Sequence, residues 1–177
     1  MATTIYQQLY DAIYKKSVLE SVFINLESLS EKLKGSKKIT KDKLIEVFDK
    51  SVTNPLLKEI MQKEIAADNL SVFSDKELQA LTAKIQDMTN KAKIIDMTIA
   101  IPLTEPDLKE IEDKLEAKMK IKIIINLKVD PTIIGGVMIK EDKYIFDASL
   151  RNHLKGYESE WVKSLRKTRK EMNDPAL

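Results

Sequence analysis

Apolar residues recur at intervals of three and four between residues 3 and 92, and this spacing predicts amphipathic helices throughout the first half of the chain. Start and stop signals divide the region into four or five helices joined by short loops. A single helix cannot bury its own apolar stripe, so the sequence predicts an antiparallel helical bundle. The stripes of the first and last of these helices contain Ile5, Leu9, Ile13, Leu78, Leu81 and Ile85.

Three helix starts are marked by side chains that commonly cap a first turn. Ser17 with Glu20, and Ser74 with Glu77, have the spacing of capping boxes, in which a hydroxyl and a carboxylate satisfy free backbone N–H groups. Asn54-Pro55 places an N-cap residue before a proline at the first helical position. We therefore expect helices to begin at these three places.

The spacing of apolar residues changes to alternation at Lys93, which predicts a change from helix to strand. Residues 95–103 alternate, and Thr104 is expected to cap a helix. A second strand over residues 121–129 alternates strictly, with Ile121 and Val129 inward and Ile124 outward. We expect two domains, an N-terminal helical bundle over residues 1–92 and a C-terminal α+β domain over residues 93–177.

The rest of the C-terminal part predicts a hairpin followed by a helix. Residues 137–140 and 144–146 flank a polar turn, and Gly135-Gly136 predicts a bulge or a tight turn into the first of these strands. Ser149 is expected to cap a terminal amphipathic helix, whose apolar face either packs on its own domain or anchors a partner helix. The predicted fold class is α+β, mostly helical. The face of the last helix contains Leu150, Leu154, Tyr157, Trp161 and Leu165.

Composition removes several functional classes. Thirty basic and twenty-eight acidic side chains leave a net charge of +2, so no global field attracts nucleic acid or an anionic bilayer. The absence of cysteine removes disulfides and thiolate catalysis. Residues 1–16 lack the apolar core of a signal peptide, and no apolar run approaches the roughly 20 residues of a membrane span. We expect contact with a membrane only indirectly, through partners.

The sequence shows no cluster with catalytic or ligand-binding spacing. His153 is the only histidine, so a metal site would depend on carboxylates alone, and a structural or solvent-exposed role is expected. Gly135-Gly136 lacks the following Lys-Ser/Thr of a phosphate cradle. Asp147 and Ser149 have no partner base, and Ser149 fits a helix cap. We predict no catalytic residue, no metal and no cofactor.

Tyrosines form a continuous stripe on the first helix. Tyr6, Tyr10 and Tyr14 are four residues apart and therefore share one face. This face is either the edge of the bundle core or a groove for a docking helix, since tyrosine combines a large contact area with a hydrogen-bonding tip.

A lysine-bearing strand face suggests an alternative function. Lys120, Lys122 and Lys128 share the outward face of the second predicted strand, and with the basic last helix they would form the surface of a nucleic-acid-binding adaptor. The near-neutral net charge and the lack of aromatic residues on that strand face argue against this hypothesis.

An ordered series of motifs between residues 93 and 154 resembles a known family. It comprises a strand-to-helix junction at residues 101–105, the alternating strand, the double glycine, the hairpin and the capped helix. The motif residues are Asp130, Pro131, Gly135, Gly136, Asp147, Ser149, Arg151 and Leu154. Together they resemble the delta subunit of F-type ATP synthases, whose mitochondrial relative is the oligomycin-sensitivity-conferring protein. Ala148 stands where that family commonly has glycine.

The resemblance implies a non-catalytic stator subunit that links the catalytic head to the peripheral stalk on the cytoplasmic face of a bacterial inner membrane. It implies alpha subunits of the head and b subunits of the stalk as partners, and no nucleic acid. The residues expected to bind alpha subunits are Ile5, Tyr6, Leu9, Ile13, Leu78, Leu81 and Ile85. The residues expected to bind b subunits are Leu150, Leu154, Tyr157 and Trp161.

Overall fold

The computed structural model describes residues 5–35 and 40–172, without the side chains of residues 159, 168 and 170–172. This part of the chain forms seven α-helices, four strands and two short 3-10 turns. The helices are α1 (Ile5–Ala12), α2 (Lys16–Leu33), α3 (Lys41–Ser51), α4 (Pro55–Ala66), α5 (Asp75–Lys91), α6 (Glu105–Met119) and α7 (Leu150–Met172). The strands are β1 (Lys93–Ile99), β2 (Ile123–Val129), β3 (Gly136–Glu141) and β4 (Tyr144–Ser149). The predicted fold class, α+β and mostly helical, is confirmed.

The chain divides into two compact units. The helical unit comprises the residues up to 94 together with residues 106–126, and the α+β unit comprises residues 95–105 and the residues from 127 onward. The change of unit near residue 94 lies beside the position expected from the sequence. However, α6 and the first half of β2 group with the helices. Ile124 of β2 is part of the core that the helices form, and Lys122, which pairs with Glu112 of α6, contacts the Asp11 carbonyl of α1.

The core of the helical unit is built from the apolar stripes of α1 to α5. Phe48 and Phe73 meet edge to face, with ring centroids 6.2 Å apart, a favourable arrangement of aromatic quadrupoles. Ile124 of β2 is also fully buried in this core. Further core residues are Leu9, Ile13, Leu19, Val22, Leu26, Leu29, Leu33, Leu44, Val52, Leu57, Ile60, Met61, Ile65, Leu78, Leu81 and Ile85.

Two of the predicted helix caps are confirmed. The Asn54 side chain accepts a hydrogen bond of 3.1 Å from the Leu57 N–H at the start of α4. The Ser74 hydroxyl accepts one of 3.4 Å from the Glu77 N–H at the start of α5. Both side chains satisfy backbone donors that the first helical turn leaves free.

The predicted cap at Ser17 is wrong, since α2 already begins at Lys16. The preceding residue, Lys15, is extended and forms an isolated parallel bridge with Ile125. That pairing fixes the backbone up to Lys15, so the helix starts immediately after it and Ser17 lies within the first turn.

The strands are hydrogen-bonded in the order β2-β1-β3-β4. In the α+β unit, β3 pairs antiparallel with both β1 and β4, and Glu141 lies opposite Tyr144 at the hairpin end. The predicted hairpin is therefore confirmed.

The predicted alternation of β2 is only partly correct. Ile123, Ile124 and Ile125 are all fully buried, whereas Ile121 and Val129 are 40% and 41% exposed. Ile124 was expected to point outward, but it enters the core of the helical unit. A strand buried on both faces has a continuous apolar run rather than an alternating one.

Candidate partner-binding surfaces

The double glycine positions the start of α7. The Gly135 carbonyl accepts a hydrogen bond of 2.9 Å from the Leu150 N–H, which satisfies one free donor of the first turn of α7. Gly136 begins β3 with φ at +78°, and a Cβ there would lie 2.2 Å from the Ala148 carbonyl oxygen. The prediction of a tight turn into the strand is thus confirmed, because both the backbone angle and the space require glycine.

Asp147 and Ser149 form the cap of α7. The Ser149 hydroxyl accepts a hydrogen bond of 3.2 Å from the Asn152 N–H, and Asp147 accepts one of 2.9 Å from the Ser149 N–H. Hydrogen bonds from the hydroxyl and the N–H of Ser149 lower the pKa of Asp147. A carboxylate kept ionised beside the N-terminus of a helix also stabilises its macrodipole. The predicted capping role of Ser149 is confirmed.

A third contact ties the 3-10 turn Pro131–Ile133 to α7. Asp130 accepts a hydrogen bond of 3.0 Å from the Thr132 N–H, and Arg151 donates one of 3.2 Å to the Thr132 hydroxyl. Hydrogen bonds from Thr132 lower the pKa of Asp130. Most residues of the family-like motif therefore converge on one task, which is to fix where α7 begins and in which direction it leaves the sheet.

Among the residues that the structure describes, none covers the apolar face of α7. Its side chains lie along one side of the helix at steps of three and four residues. Leu150, Leu154, Tyr157, Trp161 and Leu165 are 50%, 53%, 63%, 75% and 67% exposed. These five residues are called the α7 seam below. A contiguous exposed apolar row of this kind is a candidate surface for binding another macromolecule.

The helical unit buries most of the residues that were expected to bind alpha subunits. Leu9, Ile13, Leu78, Leu81 and Ile85 are each at most 8% exposed. Their side chains pack the core and are not available at the surface. Ile5 and Tyr6 are only half-buried, and the Tyr6 ring lies 5.5 Å from the Lys84 ammonium of α5. Any surface formed by α1 and α5 therefore depends on their edges rather than on their apolar stripes.

The predicted stripe of three tyrosines on the first helix is wrong, because α1 ends at Ala12 and Tyr14 lies beyond it. Burial raises the pKa of Tyr10, and the Glu116 and Asp11 carboxylates raise it further. Two ammonium groups lie near the Tyr14 ring, that of Lys15 at 5.9 Å and that of Lys109 at 5.5 Å from its centroid. All three tyrosines are half-buried.

A buried ionic cluster joins α6 and the start of β2 to the end of α1. Glu112 is fully buried and pairs with Lys109 and, at 2.6 Å, with Lys122. Lys122 also pairs with Glu116 at 3.0 Å and contacts the Asp11 carbonyl at 3.5 Å. Burial and the hydrogen bond with Glu116 raise the pKa of Glu112. Burial also raises the pKa of Glu116, but hydrogen bonds from Glu112, Lys122 and the backbone outweigh it and lower the pKa.

Sequence reasoning missed this cluster. The one signal is that Glu112 follows Leu108 by four residues, so that a carboxylate stands on the buried side of α6. The cluster also argues against the nucleic-acid hypothesis, because the Lys122 side chain is only 11% exposed and pairs with two carboxylates. It is not available to a phosphate backbone.

Other candidate chemistry is not supported by clustered geometry. His153 is exposed on α7. Within residues 5–35 and 40–172, no three His, Cys, Asp or Glu residues come together in a way that would hold a metal ion. Over the same ranges, no helix has the length and apolar character needed to cross a membrane.

A helical unit followed by an α+β unit with an uncovered apolar helix is an arrangement typical of protein-binding subunits. The chain belongs to the ATP synthase delta (OSCP) subunit family, whose family model matches residues 7–160. This match includes parts of both units and the whole of the motif that fixes α7.

Curated relatives agree with this membership. ATP synthase subunit delta of Hamiltonella defensa is 35% identical over 80 residues, which cover 45% of this chain and 43% of the relative. That of Persephonella marina is 28% identical over 127 residues, covering 68% of this chain and 65% of the relative. The matched part thus spans less than two thirds of the length of each of these two relatives. A chain of the Polytomella F-ATP synthase matches with a TM-score of 0.35 at 21% identity, covering 44% of this chain and 99% of that one, a likeness too weak to carry an argument.

Proposed function

We propose that this protein is a non-catalytic stator subunit of a rotary F-type ATP synthase. It holds the catalytic head to the peripheral stalk, so that rotor torque is converted to ATP synthesis instead of turning the head. It acts as a peripheral component on the cytoplasmic face of a bacterial inner membrane. The observation that carries the proposal is the match to the delta (OSCP) family over residues 7–160.

The α+β unit supports an attachment to the b subunits of the stalk. Its last helix begins at a point fixed by Gly135, Ser149 and Arg151, and it carries the exposed α7 seam. Aromatic side chains such as Trp161 contribute strongly to helix docking, because they bury a large area with few rotatable bonds. A rigid start and an apolar seam are what a static joint requires.

The helical unit supports an attachment to the alpha subunits of the head. The tightly packed core keeps α1 and α5 adjacent, and the half-exposed Ile5 and Tyr6 lie at the edge of α1. A partner helix placed against this edge would bury the exposed parts of both side chains. The core residues Leu9 and Leu81 contribute indirectly, by holding these two helices in place.

The experiment is a pull-down of the tagged full-length chain from detergent-solubilised membranes. Both alpha and b subunits should co-purify with it. Tyr6→Ala should reduce recovery of alpha, and Trp161→Ala should reduce recovery of b. Ile24→Ala and Tyr144→Ala serve as matched controls, because these apolar side chains are 65% and 80% exposed but lie outside the two surfaces.

The outcomes separate the hypotheses. Loss of one partner with retention of the other supports two independent attachment surfaces. Failure to recover either subunit with the unmodified chain contradicts the proposed function. Recovery of nucleic acid that is abolished by salt would instead support the adaptor hypothesis.

A further inference from the structure

A groove runs between α2 and α5 in the helical unit. Its cavity volume is about 680 Å³, within the range of about 300–1,000 Å³ that small-molecule sites commonly have. The α2 side is formed mainly by Phe23, Glu27 and Glu31, which are four residues apart and therefore share one face of the helix. Together they span about 12 Å along α2. Neither Ile5 nor Tyr6 lines the groove, so it is separate from the surface proposed for the alpha subunits.

The neutral polar side chains of the groove use their hydrogen-bond donors within the protein. The Ser30 hydroxyl donates to the Asp75 carboxylate at 2.9 Å, and the Thr82 hydroxyl donates to the Leu78 carbonyl at 2.8 Å. The Gln79 amide also donates to Asp75, at 2.9 Å. A hydroxyl has one hydrogen and two lone pairs, so both hydroxyl oxygens can only accept a further hydrogen bond. The groove therefore presents mainly acceptors to a ligand.

Two carboxylates give the groove a negative charge. Glu27 and Glu31 are exposed, and neither pairs with a Lys or Arg among the residues that the structure describes. Elsewhere on the same helix, Glu20 has the Lys16 ammonium at 3.7 Å. Like charges four residues apart on a helix repel each other, and a cation bound beside both would remove that repulsion. Charge complementarity thus indicates a cationic ligand.

Phe23 and Ala83 add an apolar surface to these acceptors. The Phe23 ring is half-buried, and Ala83, on the α5 side, has the smallest side chain of the lining. An alkyl chain packs on such a surface, and an ammonium group is attracted to the face of an aromatic ring. A bare metal ion would gain nothing from either side chain. An alkyl chain that carries several ammonium groups uses every feature of the groove.

We propose that the groove between α2 and α5 binds a linear polyamine. Two of its ammonium groups pair with Glu27 and Glu31, and its alkyl segments lie on Phe23 and Ala83. Residues four apart on a helix are separated by a rise of about 6 Å, close to the separation of the two ammonium groups of putrescine. The groove would bind this ligand whether or not the protein acts as a stator.

The test measures binding of spermidine to the full-length chain by isothermal titration calorimetry at low and high salt. Putrescine is the shorter ligand, Mg²⁺ supplies charge without an alkyl chain, and butanediol supplies the chain without charge. We expect spermidine to bind at least about tenfold more tightly than Mg²⁺, because only the polyamine also contacts the apolar surface. Putrescine should bind less tightly than spermidine, butanediol should give no measurable heat, and binding of the polyamines should weaken at high salt.

Variants assign the binding to the groove. Glu27→Gln together with Glu31→Gln should weaken spermidine binding at least about tenfold, because both charged hydrogen-bond acceptors are lost. Glu20→Gln is the matched control, since it makes the same change on the same helix outside the groove, and it should have less than about a twofold effect. Ala83→Leu fills the groove without changing the charge and should also weaken binding. Circular dichroism melting verifies that each variant is folded.

Other results would overturn the inference. Equal binding of Mg²⁺ and spermidine, equal effects of the Glu20 and groove substitutions, or unchanged binding by Ala83→Leu would each show general attraction of cations instead of a site. Absence of heat at millimolar spermidine would contradict the inference directly. A lysine-rich synthetic helix that binds through Glu27, Glu31 and Ala83 where spermidine does not would assign the groove to a basic protein segment.

Discussion

Replacing Gly136 by alanine should disrupt the joint that holds α7. Gly136 has φ at +78°, and its pairing with Ser149 brings β3 and β4 together where α7 begins. A methyl group at this position would lie 2.2 Å from the Ala148 carbonyl oxygen, which belongs to the backbone and cannot rotate away. The first strand pair of the hairpin must therefore open, or the turn must change its conformation.

The magnitude follows from two separate contributions. A left-handed backbone conformation costs an L-residue about 1–2 kcal/mol relative to glycine. Relieving the overlap also separates this residue pair of the hairpin, and the lost hydrogen bonding costs about a further 1 kcal/mol. We expect the free energy of unfolding of the α+β unit to decrease by at least about 2 kcal/mol, which for a chain of this size lowers the melting temperature by about 4 °C or more.

Two further glycines provide graded controls for the same substitution. Gly156 lies within α7 with nothing within 4 Å of a Cβ, so Gly156→Ala should stabilise the helix by about 1 kcal/mol, because alanine has the higher helix propensity. A Cβ at Gly135 would lie 2.8 Å from a terminal methyl group of Leu150. That side chain is half-exposed and can move, so Gly135→Ala should have a small cost.

Urea denaturation followed by far-UV circular dichroism measures the three changes in unfolding free energy. Hydrogen exchange of the amides of β3, β4 and α7 assigns each change to the α+β unit. The expected order of stability is Gly156→Ala, the unmodified chain, Gly135→Ala and Gly136→Ala. A Gly136→Ala variant as stable as the unmodified chain would refute the argument that the close approach to Ala148 requires glycine.

Three further predictions concern the helical unit. Glu112→Ala should lower its unfolding free energy by about 3 kcal/mol in urea denaturation, because it removes the fully buried carboxylate that Lys109 and Lys122 share. Glu110→Ala, which breaks an exposed ion pair, should cost less than about 1 kcal/mol. Leu81→Asp should abolish the cooperative unfolding transition, because it places an unpaired charge in the core, while Lys76→Asp on the exposed side of α5 should leave that transition unchanged in thermal scans. Hydrogen bonds lower the pKa of Glu116 below its unfolded value of about 4.3. The ionised Glu116 therefore stabilises the fold above about pH 4.3, and this stabilisation is lost as the pH falls through the folded pKa. The drop in unfolding free energy between about pH 5 and pH 3 should be smaller for Glu116→Gln than for the unmodified chain.

The parts of the fold that were predicted correctly depend on local interactions. Asn54 and Ser74 cap helices within three residues of themselves, and the hairpin strands flank their own turn. Ser17 has the same local signal, but the pairing of Lys15 with the distant Ile125 decides where α2 begins. Long-range pairing cannot be read from spacing in a single sequence.

The same distinction applies to the candidate surfaces. The α7 seam was visible in the sequence as a periodic apolar row, but only the structure shows that nothing in the described part of the chain covers it. Leu9 and Ile85 belong to equally periodic rows, and these rows close on each other to form the core. Periodicity identifies the apolar face of a helix, and it does not distinguish a face that binds a partner from one that packs internally.

The family match and the exposed apolar face of α7 involve largely different residues. Gly135, Asp147 and Ser149 lie within the matched residues 7–160 and act by positioning the start of α7. Trp161 and Leu165, the two most exposed residues of the seam, lie beyond that match, as do the five cations at residues 162–170. Family membership therefore accounts for how α7 is held, whereas the second half of its exposed apolar face lies beyond the family match. Exchanging residues 161–170 for those of a relative should change which helix binds, without changing the stability of the joint.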